Sequence, residues 1–170
     1  MASYYNSKNY DAAYAAIKEI PNPDRDIKEA LQRVTLFRAI EAVGRGEWDK
    51  AEELLNEVVA LNMRVKYTAL ALYWQGEVAM LRGDYEQAQS KYETYIRIAP
   101  KSDAEYLMAH YGLGYVHFAA KNWDDSSVSF DTFVREYMHR DRYMFDAQNR
   151  LGDTRFSQRQ FNAARKAYNV

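Results

Sequence analysis

A turn followed by an aromatic residue recurs along this chain at a nearly constant spacing, and no other sequence feature constrains the fold as strongly. The clearest copy spans residues 81–88, LRGDYEQA, in which an acid follows the aromatic residue and an alanine lies three positions beyond it. Five such aromatic anchors occur, at Tyr10, Trp48, Tyr85, Trp123 and Phe161. Their separations are 38, 37, 38 and 38 residues. A fixed period in this range is typical of a solenoid or array of repeated units.

Each anchor is predicted to open an amphipathic helix, the second helix of its repeat. A small residue lies three positions past every anchor, and a large apolar or aromatic residue lies seven positions past it. Together with the position ten residues past the anchor, these offsets follow one stripe of an α-helix. The residues just before three of the anchors are suited to cap a helix N-terminus: Asn9, Asp84 and Asn122.

The first helix of each repeat is marked by glycine. Gly76, Gly114 and Gly152 each lie nine residues before an anchor. Glycine inside a helix costs about 1 kcal/mol relative to alanine, so three of them in register need a packing reason. Close contact between paired helices supplies one. The first helices are therefore predicted over residues 24–43, 64–81, 102–119 and 141–156.

Helix-breaking residues lie where these pairs should be joined. Pro21 and Pro23 precede one first helix, and Pro100 precedes another, with Ser102 or Asp103 as its N-cap. Because the register places both chain ends inside a repeat, we expect a single array that is a fragment of a longer one. Its predicted parts are a half-repeat over 1–23, repeats over approximately 24–63, 64–100 and 101–140, and a truncated repeat over 141–170.

Composition excludes several classes of function. The formal net charge of -1 offers no global electrostatic reason to expect nucleic acid as a partner. The absence of cysteine excludes disulfides and thiolate sites, and leaves the compartment open. No apolar run reaches the roughly 18 residues that a membrane helix requires, so no membrane insertion is expected.

These repeated features together resemble the tetratricopeptide repeat family over essentially the whole chain. The residues that carry the resemblance are the aromatic anchors, the three glycines, the alanines Ala13, Ala51, Ala88 and Ala164, the large residues at offset seven, and Pro100. The chain departs from the family pattern at Ser126, which replaces the alanine, and at Ala39, which replaces the glycine. Met63 and Met138 stand where counterparts of the proline would be.

The period is longer than the roughly 34-residue unit of most of the family. It is similar to that of the bacterial envelope branch, the repeat lipoproteins of outer-membrane assembly and the Tol-Pal accessory proteins. The segment over residues 147–153 with Phe156 is similar to repeats in large multi-repeat proteins of Bacteroidetes. This resemblance favours the bacterial cell envelope or periplasm over the cytoplasm.

The resemblance implies an all-α fold, a right-handed superhelix of antiparallel helix pairs whose first helices line a concave groove. It implies a non-catalytic scaffold that binds a peptide or a protein surface in that groove. Two alternatives stay open: a regulatory or accessory segment of a larger enzyme, and a purely structural spacer array. Truncated repeats would also bare apolar residues at both ends, at Tyr4, Tyr5 and Tyr10 and at Phe161 and Tyr168, which could join copies end to end.

In the family, residues 12, 8 and 5 positions before each anchor face the groove. The candidate binding residues are Tyr73, Trp74, Glu77, Met80, Tyr111, Tyr115, Phe118, Asn149, Asp153 and Phe156. Aromatic residues are enriched among binding hot spots. The alternative is that these rings pack against one another. Some members of the family bind a C-terminal carboxylate with a clamp of Lys and Asn, and this clamp is not matched here. An acidic, aromatic groove would more readily bind a basic or apolar segment.

No metal or cofactor is expected. His110 and His117 are seven residues apart on one helix face, a spacing that could support two metal ligands. Their register is that of residues packed between helices, so we expect core histidines. Residues 138–170 hold seven basic and three acidic residues, and a solvated helix face explains them better than nucleic-acid binding. No phosphate-binding loop, nucleophile elbow or metalloprotease motif occurs.

Overall fold

The computed structural model describes residues 10–168, with side chains described as far as residue 159. No strand occurs within residues 10–168, which confirms the all-α prediction. The helices are α1 (Tyr10–Lys18), α2 (Arg25–Gly44), α3 (Trp48–Leu61), α4 (Val65–Arg82), α5 (Tyr85–Ile98), α6 (Ala104–Ala119), α7 (Trp123–Glu136) and α8 (Arg142–Tyr168). Helices that follow one another pack together in the pairs α1 with α2, α2 with α3, α5 with α6, α6 with α7 and α7 with α8. The predicted starts and ends of α2, α4 and α6 are right to within two residues.

The chain forms two compact units, residues 1–78 and 79–170, and the boundary falls within α4. The core of the first unit includes Leu36, Leu55 and Val58, with Trp74 packed against it. In the second unit, Phe130, Phe133, Ala147 and Leu151 form a core cluster from α7 and α8. Each unit therefore buries its own apolar stripe. The division into repeats and the handedness of a superhelix stay predictions.

The turns before three anchors share one backbone conformation. The residue two positions before the anchor has a positive φ, 74° at Gly46, 76° at Gly83 and 57° at Lys121. Glycine adopts this left-handed region freely, whereas lysine does so at a cost of about 1–2 kcal/mol. The predicted caps that follow are confirmed: Asp84 accepts from the Gln87 amide at 3.1 Å and Asn122 accepts from the Asp125 amide at 3.5 Å. The third predicted cap, Asn9, lies outside the described residues.

The helix predicted over residues 141–156 does not end where it was predicted to end. We expected a turn after residue 156 and a new helix opening at Phe161, and this is wrong: α8 runs from Arg142 to Tyr168 without interruption. The position that is left-handed in the other turns holds Arg159 here, and no glycine or proline follows Gly152. A continuous helix therefore satisfies the backbone hydrogen bonds without any residue in the left-handed region.

The glycines confirm the close helix contact at one predicted site and not at another. A Cβ added to Gly114 would lie 2.7 Å from the Phe130 ring, so only glycine lets α7 approach α6 this closely. At Gly152 the prediction is wrong, because no described atom lies within 4 Å of the Cβ position. The difference follows from α8, which continues as one helix past Gly152, whereas α6 is followed by a turn and a partner helix.

A buried glutamine joins three helices in the first unit. The Gln32 amide nitrogen donates to the Val58 carbonyl at the end of α3 and to the Thr68 hydroxyl, both at 3.1 Å. Its carbonyl oxygen accepts from the Arg64 amide at 2.8 Å, just before α4 begins. One side chain from α2 thus satisfies backbone groups at a junction that has Met63 in place of a proline.

Candidate functional site

Two tyrosines of α6 hold one carboxylate of α8 in the second unit. The Tyr111 hydroxyl donates to Oδ2 of Asp146 at 2.7 Å, and the Tyr115 hydroxyl donates to the same oxygen. A spacing of four residues brings both tyrosines to one side of α6. Two hydroxyl donors on a single oxygen fix both the position and the direction of the Asp146 side chain.

Arg150 extends this arrangement along α8. Its Nε lies 3.9 Å from Oδ1 of Asp146, an ion pair too long for a hydrogen bond, and its guanidinium donates to Asp153 at 2.9 Å. The guanidinium carbon also lies 5.9 Å from the centroid of the Phe118 ring. The buried Nε makes no hydrogen bond to the described residues. We call this surface the tyrosine–aspartate face: Tyr111, Tyr115, Phe118, Asp146, Arg150 and Asp153.

The rings of the tyrosine–aspartate face are anchored in the core of the second unit. The Tyr111 ring meets Phe133 at 5.2 Å and Tyr143 at 5.6 Å between centroids, and the Tyr115 ring meets Phe130 at 5.3 Å. The two tyrosine rings also contact each other edge to face at 5.2 Å. Both side chains are half-buried. The two tyrosine rings therefore pack against each other and against neighbouring rings, which was the alternative to partner binding. Their hydroxyls meanwhile reach the Asp146 carboxylate.

The electrostatics of the face keep the tyrosines protonated. Burial raises the pKa of Tyr111, and its hydrogen bond to Asp146 raises that pKa further. The same two causes, in the same order, raise the pKa of Tyr115. Both phenols consequently act as donors throughout the neutral range, and Asp146 acts as the acceptor.

The remaining candidate residues lie in different surroundings. Tyr73 is only 5% exposed and stands edge-on to Trp74 at 5.5 Å, and Trp74 packs against the core of the first unit. Glu77 and Met80 are half-buried. On α8, Asn149 is exposed and Phe156 is 63% exposed. Their role as partner-binding residues stays a prediction.

Asp146 and Arg150 are not among the residues predicted from the sequence. Asp146 lies three residues before Asn149 and fifteen before Phe161, so extending the groove stripe by one helical turn would have included it. The sequence around Arg150 does not indicate a functional role, because a charged residue on a helix is equally consistent with a solvated side chain. Its role follows only from the two carboxylates beside it.

The two histidines sit among packed side chains. His117 is buried, and His110 is half-buried with its ring edge-on to Tyr106 at 5.2 Å. Burial lowers the pKa of His110, partly offset by the negative charge of Glu136. Within residues 10–159 no group of three or more histidine, aspartate or glutamate side chains could hold a metal ion. No helix in the described part of the chain is long and apolar enough to cross a membrane.

The all-helical fold with successive helix pairing is consistent with an α-solenoid built from helical repeats. Residues 38–103 match the family model described as tetratricopeptide repeat. No curated protein sequence matches the chain.

Among solved structures, the chain is similar to BtubC (BKLC) from P. vanneervenii, with a TM-score of 0.70 and 17% sequence identity. The likeness covers 92% of this chain and 66% of that one. The chain therefore spans just under two thirds of the length of that relative. At this level of identity the likeness shows the fold alone.

Proposed function

We propose that this chain is a non-catalytic scaffold whose tyrosine–aspartate face binds a peptide or protein segment through a basic side chain. Tetratricopeptide repeats generally mediate interactions between proteins, which supports the scaffold role.

The observation that carries the proposal is the way Asp146 is held. Oδ2 is engaged by two tyrosine hydroxyls. Among the described residues Oδ1 has only Arg150, at 3.9 Å, so it can still accept a charge-assisted hydrogen bond. The side chain is 35% exposed, which leaves room for an incoming lysine or arginine. A carboxylate that is already oriented loses little freedom on binding.

The charge balance of the face points the same way. Asp146 and Asp153 carry two negative charges against one positive charge on Arg150, and Asp153 is 55% exposed. The half-buried Phe118 ring adds apolar contact area for the stem of a long basic side chain. The face therefore favours lysine or arginine over an acidic group.

A selection experiment tests this proposal. A randomised peptide library is selected against the immobilised full chain, and we expect enrichment of peptides with a basic residue next to apolar ones. Asp146→Asn should weaken the selected peptide about tenfold, since the charge is lost and the shape is kept. Asp131→Asn is the matched control, because Asp131 lies on α7 and pairs with Arg135 and Arg155.

Selected peptides without a basic residue, or equal losses in the two variants, would contradict the basic-partner proposal. A chain that selects no peptide at all would favour the spacer array. If the chain is instead an accessory segment of an enzyme, the partner is expected to be a catalytic domain.

Self-association is the second part of the partner proposal, and α8 favours it. Phe145 and Phe156 are both exposed on α8, and the space at Gly152 is open. Of the residues predicted to join copies, Tyr4, Tyr5 and the side chains of Phe161 and Tyr168 lie outside the described part of the chain. Tyr10 stacks on Phe37 at 5.3 Å between ring centroids. Sedimentation equilibrium tests this part: a Phe156→Ser variant should shift the chain toward monomer, and a wild-type chain that is already monomeric would contradict it.

The bacterial cell envelope or periplasm is the compartment that we propose, on the strength of the long repeat period. Fractionation of the native host followed by immunodetection tests it. Recovery of the protein only with the cytoplasmic fraction would contradict the proposal.

A further inference from the structure

A cleft of 450 Å³ opens in the first unit beside α2 and the start of α4. Its charged walls hold three basic and two acidic residues: Arg33, Arg64, Lys66, Asp26 and Glu29. Tyr67, half-buried against the core of the first unit, forms an aromatic wall. The cleft shares no residue with the tyrosine–aspartate face.

One of the basic residues in the cleft is already paired. Arg64 donates to Glu29 at 2.8 Å, and Arg25 approaches the other oxygen of the same carboxylate at 3.3 Å. These two cations lower the pKa of Glu29, and Arg64 is the larger cause. The Glu29 carboxylate therefore stays ionised, and its negative charge is balanced by the two arginines. Arg64 is thereby held at the wall of the cleft.

The other two basic residues are not paired. Neither Arg33 nor Lys66 makes a hydrogen bond or an ion pair with the described residues, and both side chains are exposed. Asp26 is the one acid of the cleft left without such a partner in the same set. Two open cations against one open anion leave the cleft with a positive balance.

The start of α4 adds to this balance. A helix N-terminus favours negative charge because its first amides are unpaired and its dipole is positive there. The first turn of α4 contains no acidic residue, so none of its own side chains meets that charge.

We propose that this cleft binds a carboxylate side chain of an acidic peptide segment, with Arg33 and Lys66 as its pairing cations. Asp26 and Glu29 line the same cleft, and they would repel a doubly charged phosphate more strongly than a singly charged carboxylate. The Tyr67 ring packs against the aliphatic part of the bound side chain.

Fluorescence polarisation with the full chain tests the proposal. The probes are a labelled peptide rich in glutamate and its glutamine counterpart, and we expect the acidic peptide to bind at least about tenfold more tightly. Arg33→Gln and Lys66→Gln should each weaken it severalfold. Lys28→Gln is the matched control, because it removes one positive charge from the exposed surface of α2 outside the cleft.

The outcomes separate cleanly. Equal binding of the two peptides, no binding, or an equal loss in Lys28→Gln and Arg33→Gln would each overturn the proposal. Competition by inorganic phosphate that exceeds competition by acetate at equal ionic strength would overturn the carboxylate assignment. Asp146→Asn should leave the acidic peptide unaffected, so a failure here is distinguishable from a failure of the proposed function. All substituted side chains in the cleft are exposed, and circular dichroism confirms that the variants fold.

Discussion

Arg33 in the first unit and Asp146 in the second occupy the same register position, each fifteen residues before an aromatic anchor. The two side chains carry opposite charge, and each belongs to the surface that we propose as the binding site of its unit. The repeat fixes where on the helix such a side chain lies, because the period governs the apolar stripe. It leaves the chemistry of that position free, so one backbone plan presents a basic cleft in one place and an acidic face in another.

The two surfaces differ also in how firmly their charge is held. Asp146 is fixed by two tyrosine hydroxyls, whereas Arg33 makes no hydrogen bond or ion pair with the described residues. A long side chain that is ordered only on binding costs about 0.5–1.5 kcal/mol. We therefore expect the face of the second unit to bind more strongly per ion pair than the cleft of the first.

The largest effect is expected from removing the buried support beneath the cleft. Gln32→Leu deletes three hydrogen bonds and leaves the Arg64 amide without its acceptor, while the Val58 carbonyl keeps only the Asn62 amide at 3.3 Å. The free energy of unfolding should fall by about 2–4 kcal/mol, measured by urea denaturation. The acidic peptide should be lost with it, while the basic peptide selected on the second unit is retained. Gln148→Leu, at an exposed position of α8, is the control.

Removing the tyrosine hydroxyls should make the second unit resemble the first. Tyr111→Phe with Tyr115→Phe keeps both rings packed and leaves Asp146 unheld. We expect a loss of about 1–2 kcal/mol in unfolding free energy and a severalfold weaker basic peptide. Helicity by circular dichroism should not change, and Tyr85→Phe serves as an exposed control. Undiminished binding of the basic peptide would show that the hydroxyls do not orient the carboxylate.

The continuity of α8 can be tested at Gly152. Gly152→Ala should raise the free energy of unfolding by up to about 1 kcal/mol, since its Cβ position is open and alanine is the better helix former. Gly114→Ala should lower it, because the added Cβ would lie 2.7 Å from the Phe130 ring. Thermal denaturation of the two variants measures both changes. A destabilised Gly152→Ala would mean that another helix covers α8.

Lowering the pH should destabilise the second unit through His110, and this effect is expected to be smaller than those above. Burial lowers the pKa of His110 below its ordinary value of 6.5, so the unfolded chain binds a proton more readily than the folded second unit does. Stability is therefore complete above about pH 6.5 and is lost as the pH falls from there toward the lowered pKa. Denaturation at pH 7.5 and pH 5 should show a smaller acid loss in His110→Gln than in the wild type. An unchanged loss would exclude His110 as its source.

Most of the helix boundaries can be predicted from the sequence because the pattern repeats. The 37- to 38-residue period gives five independent readings of the same stripe, and it places the starts of α2, α4 and α6 to within two residues. The caps Asp84 and Asn122 follow from local hydrogen bonding and are confirmed by contacts within their own turns. Local and periodic signals are therefore the ones that sequence reasoning reads well.

The candidate site was harder to predict because its contacts are neither local nor periodic. Tyr111 and Asp146 are 35 residues apart, and nothing in the stripe says which acid meets which hydroxyl. Gln32 was missed for a similar reason, since a polar residue inside an amphipathic pattern gives no hint of the backbone groups that it satisfies. The continuity of α8 depends on the absence of a residue in the left-handed region. The regular spacing of the anchor at Phe161 predicted a turn there instead.

The three-way contact of Gln32 has a consequence for how the first unit opens. The Arg64 amide hydrogen is held by a side chain of another helix, so its exchange with solvent reports a separation of α2 from the start of α4, not the fraying of α4 alone. Hydrogen exchange at that single amide should match the protection of the interior of α2. The junction that bears the cleft would then open only together with the core beneath it.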